Sequence, residues 1–533
     1  MNIYEQQGQD ITALDMIASE EDSEIKKFYK DSCIFITGAT GYLGKLVLEK
    51  LLRTCPDLKK VFILIRTKKG KNIEERLEAI FDEPPFDVLK RNDPNFRNKV
   101  HVVEGDVGLP DLGLNESDRE KLIQEVDSII HFAATVRFDE KLRLAAHINV
   151  RGVRDFIKLA RNMKKLKVFL YVSTAFSNCL LSRQTVDEVF YEPPMTADKL
   201  LSLVDSLDDD QLGKITDMVI KDFPNTYTFT KCIAEDVLRK EGKNLPIAIH
   251  RPSIVIPTVK EPISGWIDNF YGTTGLFMAV GIGLVRTIRG KKDNKAEMIP
   301  ADYVVNSCLA TMWDVATIRS VNDNKEDQTE GSLKIEQDVP IYNCVSSAQN
   351  PLTWAGYQSI TEKHGKRIPS EKCLWYYSFK LRANYYDNLL ACFFLHTIPA
   401  YIVDFTLTCL GKKPMLVKGY QKINKFTKVI EYFTMNSWNF GNNNTQTLWK
   451  RMKKYDQELF DFDIEKLNWD SYIYTYCRGC RVYLLKDPLS TIPQGKKKYR
   501  KLFVLHYFIL VVFWLLVFRL LLALFTFSVS LFV

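Results

Sequence analysis

The chain has 533 residues, 46% hydrophobic and 26% charged, which excludes a disordered or low-complexity polymer and, at roughly 100–200 residues per domain, allows two to four domains. Seventy-three basic against 65 acidic side chains leave a net charge of +8, too mild an excess to point to nucleic acid, and a mean hydropathy of -0.15 excludes a polytopic membrane protein. Eleven cysteines in so long a chain do not make a disulfide framework, and the polar, acidic first thirty residues are not a secretory signal, so the compartment reads as reducing.

After this N-terminal extension, short apolar runs recur at Cys33–Ile36, Val61–Ile65, Val100–Val103, Ile129–Phe132, Val168–Val172 and Ile247–Ile249. Between most of them lie stretches with helical spacing, for example Leu43, Val47, Leu48, Leu51 and Leu52. Strands alternating with helices predict an α/β fold with a doubly wound parallel sheet covered on both faces.

The first strand runs directly into Thr37-Gly38-Ala39-Thr40-Gly41-Tyr42-Leu43-Gly44, which opens the first helix. Gly38 suits the tight turn, Gly41 the approach of a pyrophosphate and Gly44 close helix–strand packing, while the helix N-terminus offers free N–H groups to phosphates. The spacing is G-x-x-G-x-x-G, and its place between strand and helix marks a Rossmann-type dinucleotide site. The second strand ends in Ile65-Arg66-Thr67-Lys68-Lys69-Gly70, without the carboxylate that would accept from ribose hydroxyls. Arg66 and Lys69 suit a 2′-phosphate, so the expected cofactor is NADPH. Asp106-Val107, after the third strand, are placed to contact the adenine; Ala133-Ala134-Thr135, after the fourth, offer small residues where the cofactor backbone would pass.

The fifth strand ends in Tyr171-Val172-Ser173-Thr174-Ala175, and Tyr227-Thr228-Phe229-Thr230-Lys231 follows. Tyr227 and Lys231, four apart, share one helix face. An ammonium beside a phenol favours the phenolate and lowers its pKa from about 10. Tyr227 is then the expected proton donor to a carbonyl oxygen while hydride arrives at carbon, with Lys231 also holding the nicotinamide ribose. Thr174 is expected to hydrogen-bond the substrate oxygen, with Ser173 as second choice.

The polar segment Ser320–Gly331 reads as a surface loop. From about Cys373 to Asp487 the chain is rich in Trp, Tyr, Phe and Lys, with helical runs around Tyr420–Phe433 and Thr445–Asp456. Phe393–Leu395 and Ile398–Phe405 suit either an apolar surface or a domain core, and His396, Pro399 and Asp404 argue against a full membrane span there. Cys477 and Cys480 form a single C-x-x-C, read as plain thiols and not as a metal site. The basic cluster Lys496–Lys501 then abuts Leu502–Val533, which is almost wholly apolar. About 20 residues cross a bilayer core, so this tail predicts one spanning helix or a two-armed hairpin around Arg519. The basic flank reads as the cytosolic side.

Taken together these motifs resemble the extended short-chain dehydrogenase/reductases. Within them, the chain is similar to the eukaryotic, insect-like, alcohol-forming fatty acyl-CoA reductases. The resemblance is carried by Phe28-Tyr29, Gly38–Gly44, Leu64–Gly70, Gly105–Val107, His131–Glu140, Asn149–Gly152, Val172–Asn178, Asn225–Lys231 and His250–Ser253. It continues through Gly265–Asn269, Ile299–Asn306, Leu395–Asp404, Gly411–Pro414 and Phe460–Tyr474, and so covers nearly the whole chain.

The resemblance implies an extension over 1–30, an NADP-binding reductase domain over 31–365 and a mainly helical reductase-associated domain over 366–490. A basic linker over 491–501 and the membrane anchor over 502–533 would follow. It implies reduction of long-chain fatty acyl-CoA to a primary alcohol by two hydride transfers via a bound aldehyde. Tyr227, Lys231, Thr174 and Ser173 would be the catalytic group. The expected partners are acyl-CoA and the bilayer, with no nucleic acid and a homo-oligomer left open. The expected location is the cytosolic face of the endoplasmic reticulum, with the peroxisome as alternative. Two other readings share part of the pattern: an NADP(H)-dependent reductase or isomerase of a sterol-like substrate, and an inactive membrane-tethered cofactor-binding protein.

Overall fold

Continuous apolar runs such as Cys33–Thr37 and Val168–Val172, buried along their whole length, need a sheet with both faces covered. The computed structural model, which describes residues 23–67, 70, 72–326 and 339–530, provides that sheet. Its strands are β1 (Cys33–Thr37), β2 (Lys60–Ile65), β3 (Val100–Glu104), β4 (Ser128–His131), β5 (Val168–Val172), β6 (Ile247–Pro252) and β7 (Ile341–Cys344). All neighbours are parallel, in the order β7-β6-β5-β4-β1-β2-β3. The order reverses at β1, which lies between β2 and β4. In such sheets the crevice outside the carboxyl ends of the strands at this switch point is where a ligand binds.

The helices that matter for the site are α1 (Tyr42–Thr54), α2 (Gly152–Arg161), α3 (Thr226–Glu241) and α4 (Ala301–Glu326). Phe35, Ile129, Phe156, Phe169, Phe229 and Ile249 belong to one apolar cluster that joins the sheet to α2 and α3. Strand β7 was not among the expected runs; Asn343 interrupts its apolar character, and Asn343 Nδ2 donates to the Gly441 carbonyl at 2.7 Å. The expected loop at Ser320–Gly331 is corrected over Ser320–Glu326, which continues α4. A polar run fits a helix end as well as a loop; residues 327–331 lie outside the described residues.

The chain divides into two units, neither of them one continuous stretch. The first holds the sheet and comprises residues up to Ile267 with Asp293–Trp354 and Lys428–Tyr472. The second comprises Asp268–Lys292, Ala355–Thr427 and the chain from Ile473 onward. Its elements include α5 (Tyr385–Cys392), continued through a wide turn at Phe393–Thr397 into α6 (Ile398–Cys409), then the start of α7 (Leu416–Met435), and α8 (Ile492–Ser530). Leu276, Val280, Val285 and Ile288 form its small core, with Phe379, Leu381, Ile423 and Phe426 packed on them.

Over its described residues, as far as Ser530, the tail is one unbroken helix and not a two-armed hairpin. Among the described residues, two helical stretches, Tyr385–Cys409 and Leu489–Val529, are long and apolar enough to cross a membrane.

Candidate active site

The first unit gathers its chemistry-bearing residues at the carboxyl ends of β1, β2, β4 and β5. At the end of β1, Gly38 adopts φ +75°, and a Cβ there would sit 2.9 Å from the Ala133 amide nitrogen. A Cβ on Gly44 would lie 2.2 Å from the Gly38 carbonyl oxygen, so α1 packs on the turn as only glycine allows. Gly41 is the N-cap of α1 and contributes no side-chain hydrogen bond to its first turn. Thr40, Tyr42 and Leu43 are half-buried and Gly41 is exposed, while Thr37 is fully buried. Thr37 Oγ1 meets His131 Nδ1 at 2.7 Å and accepts from the Ala133 N–H, fastening the turn to the Ala133–Thr135 loop. Tyr42 donates its hydroxyl to the Trp266 carbonyl.

Beyond β2, Arg66 is largely exposed and pairs loosely with Asp106 at 3.7 Å. Arg76 reaches the same place from the following helix and donates to the Arg66 carbonyl. Burial and the charge of Arg66 both lower its pKa. Val107 is buried and Asp106 half-buried; Asp106 also accepts from the Gly108 N–H. Lys69 lies outside the described residues.

Asn225 caps α3 by accepting from the Thr228 N–H at 2.9 Å, and this fixes where Tyr227 and Lys231 project. Tyr227 and Thr174 are neighbours in the site, and the Thr174 hydroxyl favours the Tyr227 phenolate. Burial pushes the Tyr227 phenol above its ordinary range, with Thr174 acting in the opposite sense. The expected lowering by Lys231 is not what the geometry produces. Lys231 Nζ donates instead to the Tyr171 hydroxyl (3.1 Å) and the Val172 carbonyl (2.7 Å). Burial lowers the Lys231 pKa to about 7, with the charge of Glu235 pulling it back up. Ser173 does not join Thr174: its hydroxyl donates to Glu235 at 2.5 Å. Glu235 also accepts from Ser177 Oγ and from Arg251 at 2.7 Å, in a network where both charged groups are buried.

A family model described as "Male sterility protein", of NAD-binding type, matches residues 36–308, and a second model of the same description matches 395–487. The fatty acyl-CoA reductase wat of Drosophila melanogaster is 40% identical over 497 residues, covering 93% of this chain and 92% of its own. The chain belongs to the fatty acyl-CoA reductases. It is an oxidoreductase with a nicotinamide-dinucleotide fold. Fatty acyl-CoA reductase 1 of Rattus norvegicus is 38% identical, with 91% and 90% covered, and fatty acyl-CoA reductase 2 of Bos taurus is 37% identical, with 94% of both chains covered. Among solved structures, the terminal R domain of the myxalamid biosynthetic pathway superposes with TM-score 0.54 at 18% identity, covering 88% of this chain and 96% of that one, which is a likeness of fold.

The turn of this reductase fits a dinucleotide on structural grounds: the space at Gly38 and Gly44 is closed to any Cβ, and the N-terminus of α1, without a side-chain cap, meets the turn. Three residues that hold the site had no role assigned from sequence. Tyr171 receives Lys231; its position three before Thr174 was the only signal. Asn149, in a wide helical turn at His147–Arg151, donates to Thr230 Oγ1 at 2.9 Å and accepts from the Thr135 N–H, joining the β4 loop to α3. Arg76 carries no local signal. Beside Tyr227, the rings of Phe138 (6.0 Å), Phe433 and Phe176 follow one another. They lead to a small, shallow cleft lined by Phe176, Phe433, Trp438, Phe440 and Trp354.

Proposed function

We propose that this reductase converts long-chain fatty acyl-CoA to the primary alcohol and free CoA, consuming two NADPH and two protons. The reading is supported most by the buried Tyr227 beside Thr174 at the end of β5 in a chain of this family. NADPH bound along the Gly38–Gly44 turn would supply the hydride at each of the two reductions. Arg66 and Arg76, with no carboxylate at the end of β2, suit its 2′-phosphate.

Tyr227, which burial keeps protonated at neutral pH, donates its proton to the thioester oxygen as hydride reaches the carbon. Thr174 hydrogen-bonds the same oxygen and holds it in line. The resulting hemithioacetal loses its hydroxyl proton, its C–S bond breaks, and CoA leaves as the thiol. The aldehyde oxygen then takes the position of the thioester oxygen, and a second hydride and a second proton give the alcohol. Lys231 holds the ribose hydroxyls, and the aromatic rings beyond Tyr227 form an apolar wall for the acyl chain.

α8 anchors the protein in the membrane of the endoplasmic reticulum, with Lys496–Lys501 and both units on the cytosolic side. Its 39 residues span about 58 Å, more than the ~30 Å hydrocarbon core, and Arg519 lies about 26 Å along from Leu502, within snorkelling distance of the far interface.

The test is product analysis after incubating the full chain, in detergent, with a mixed acyl-CoA pool and either NADPH or NADH. Fatty alcohol and two equivalents of oxidised NADPH per CoA are expected. Cofactor binding with no alcohol from any chain length would refute the reading.

A further inference from the structure

The second unit presents an apolar face to solvent along α5 and α6. Leu390, Phe393, Phe394, Ile402, Phe405 and Leu410 are each 50–72% exposed, far more clustered apolar surface than a soluble protein leaves uncovered. The imidazole and the carboxylate inside the apolar stretch Leu390–Leu410 turn inward. His396 is 2% exposed; its Nε2 accepts from the Arg286 N–H at 2.9 Å and its ring stacks on Tyr420. Asp404, 7% exposed, accepts from the N–H groups of Met415, Leu416 and Val417, each at 2.9 Å, and so caps α7. The exposed Thr406 and Thr408 spend their hydroxyls on carbonyls of their own helix, Ile402 and Asp404.

Charge and position identify what covers this face. Between Asp404 and Glu431 the chain has no carboxylate, and Lys412, Lys413, Lys418 and Lys422 are exposed along it. A cationic rim on an apolar face complements an anionic lipid surface. The face is also tied to the place where α8 becomes apolar. Arg286, which holds His396, lays its guanidinium over Trp375 at 5.6 Å. Trp375 Nε1 donates to His506 Nδ1 at 3.1 Å, in the first apolar turns of α8. Tyr376 packs against Tyr499 and Phe503 there, the kind of aromatic cluster that sits at headgroup level.

We propose that α5–α6 lies flat in the interfacial layer as a second, shallow lipid contact, with the Lys412–Lys422 lysines on anionic headgroups. The proposal rests on α8 being the anchor, and it goes further in laying the second unit against the bilayer, where an amphiphilic acyl-CoA partitions. Asp404 and the one-sided burial weigh against a transmembrane course for this stretch.

Of the eleven cysteines only Cys409, at the end of α6, is exposed, which makes it a native probe site. The full chain carrying Cys392→Ser takes an environment-sensitive fluorophore at Cys409 and is reconstituted in phosphatidylcholine vesicles containing phosphatidylglycerol. A control carries the fluorophore at Leu516→Cys in α8, with Cys392→Ser and Cys409→Ser. Spin-labelled lipids then report depth. The expected result is that Cys409 is quenched most by labels near the headgroup and Leu516→Cys by labels deep in the acyl region. Phe394→Asp with Phe405→Asp should abolish quenching at Cys409 and leave the control unchanged. Replacing Lys412, Lys413, Lys418 and Lys422 by Gln should reduce it to the level seen in pure phosphatidylcholine. An unquenched Cys409 beside a quenched control would overturn the proposal, the face then being in water or under a protein; quenching as deep as the control would also overturn it, in favour of a span. An unquenched control refutes the anchor independently of what Cys409 reports.

Discussion

Lys231 Nζ is held against Tyr171, 3.1 Å from its hydroxyl and 4.4 Å from its ring centroid, in a site where both side chains are buried. This is a cationic group kept out of water, and its low pKa of about 7 follows from burial first, with Glu235 as the restoring charge. The consequence for stability has a definite sign. Between about pH 7 and 10.4 the unfolded chain binds a proton at Lys231 that the folded, cofactor-free protein does not, so this group makes stability rise with pH across that window. Below pH 7 the full cost of burying the charge remains. Lys231→Met should therefore raise the Tm at pH 7 and flatten its rise towards pH 10, while lowering kcat. Calorimetry of both proteins across that range checks this; an unchanged pH slope would contradict it.

Thr174 and Ser173 are adjacent hydroxyls with different partners, and that difference is measurable. Thr174→Ala and Tyr227→Phe should each lower kcat/KM, Tyr227→Phe by roughly 10²–10⁴-fold, with little change in Tm. Ser173→Ala instead strips a donor from buried Glu235 and should cost about 1–3 kcal/mol of stability with a much smaller effect on kcat. Parallel melting curves and turnover numbers separate the two. Full activity in Tyr227→Phe would remove it as the proton donor.

The doubly wound parallel sheet was legible because the glycine turn, the apolar runs and the helical spacing all specify it, while its strand order and the seventh strand, interrupted by Asn343, were not. Neither were the partners of individual side chains. Tyr227 and Lys231 do share a helix face, but which neighbour the ammonium reaches depends on how α3 docks on β5, and Tyr171 enters only through that docking. Arg251 and Glu235 come together for the same reason. The division into units was hidden too, since Asp293–Trp354 and Lys428–Tyr472 join the first unit across long sequence separations. Composition revealed that Phe393–Phe405 is apolar; whether it is core or surface turns on where His396 and Asp404 find partners.

Arg66 and Arg76 meet at the end of β2, where the proposed NADPH would place its 2′-phosphate. Arg66→Ala should raise the KM for NADPH about tenfold or more and leave NADH little changed, as expected for loss of a charge-assisted phosphate contact. Arg76→Ala should move NADPH in the same direction by less, because its guanidinium also supports the Arg66 backbone. Steady-state kinetics with both cofactors distinguishes this from general damage, which would weaken both alike.

Glu261 lies nearly buried against Lys50 Nζ at 2.7 Å and Arg53 at 2.8 Å, and Asn306 Nδ2 donates to it at 2.9 Å. Burial alone would raise this carboxyl, yet Lys50 and Arg53 bring it down to about 2. Its folded pKa is below the unfolded value of about 4.3, so the stability it contributes is present above that pH and is lost as pH falls towards 2. Because Lys50 and Arg53 sit on α1, the cluster also fixes the helix whose first turn forms the Gly38–Gly44 site. Lys50→Met leaves a buried carboxylate with one cation fewer and should cost about 3 kcal/mol, the lower end of the range for broken buried pairs, since Arg53 and Asn306 remain. Adding Glu261→Gln should recover most of that loss, because the uncompensated charge is gone. Denaturant titrations of the two single variants and the double variant measure the coupling; simple additivity of the two losses would show that the pair does not act as a unit.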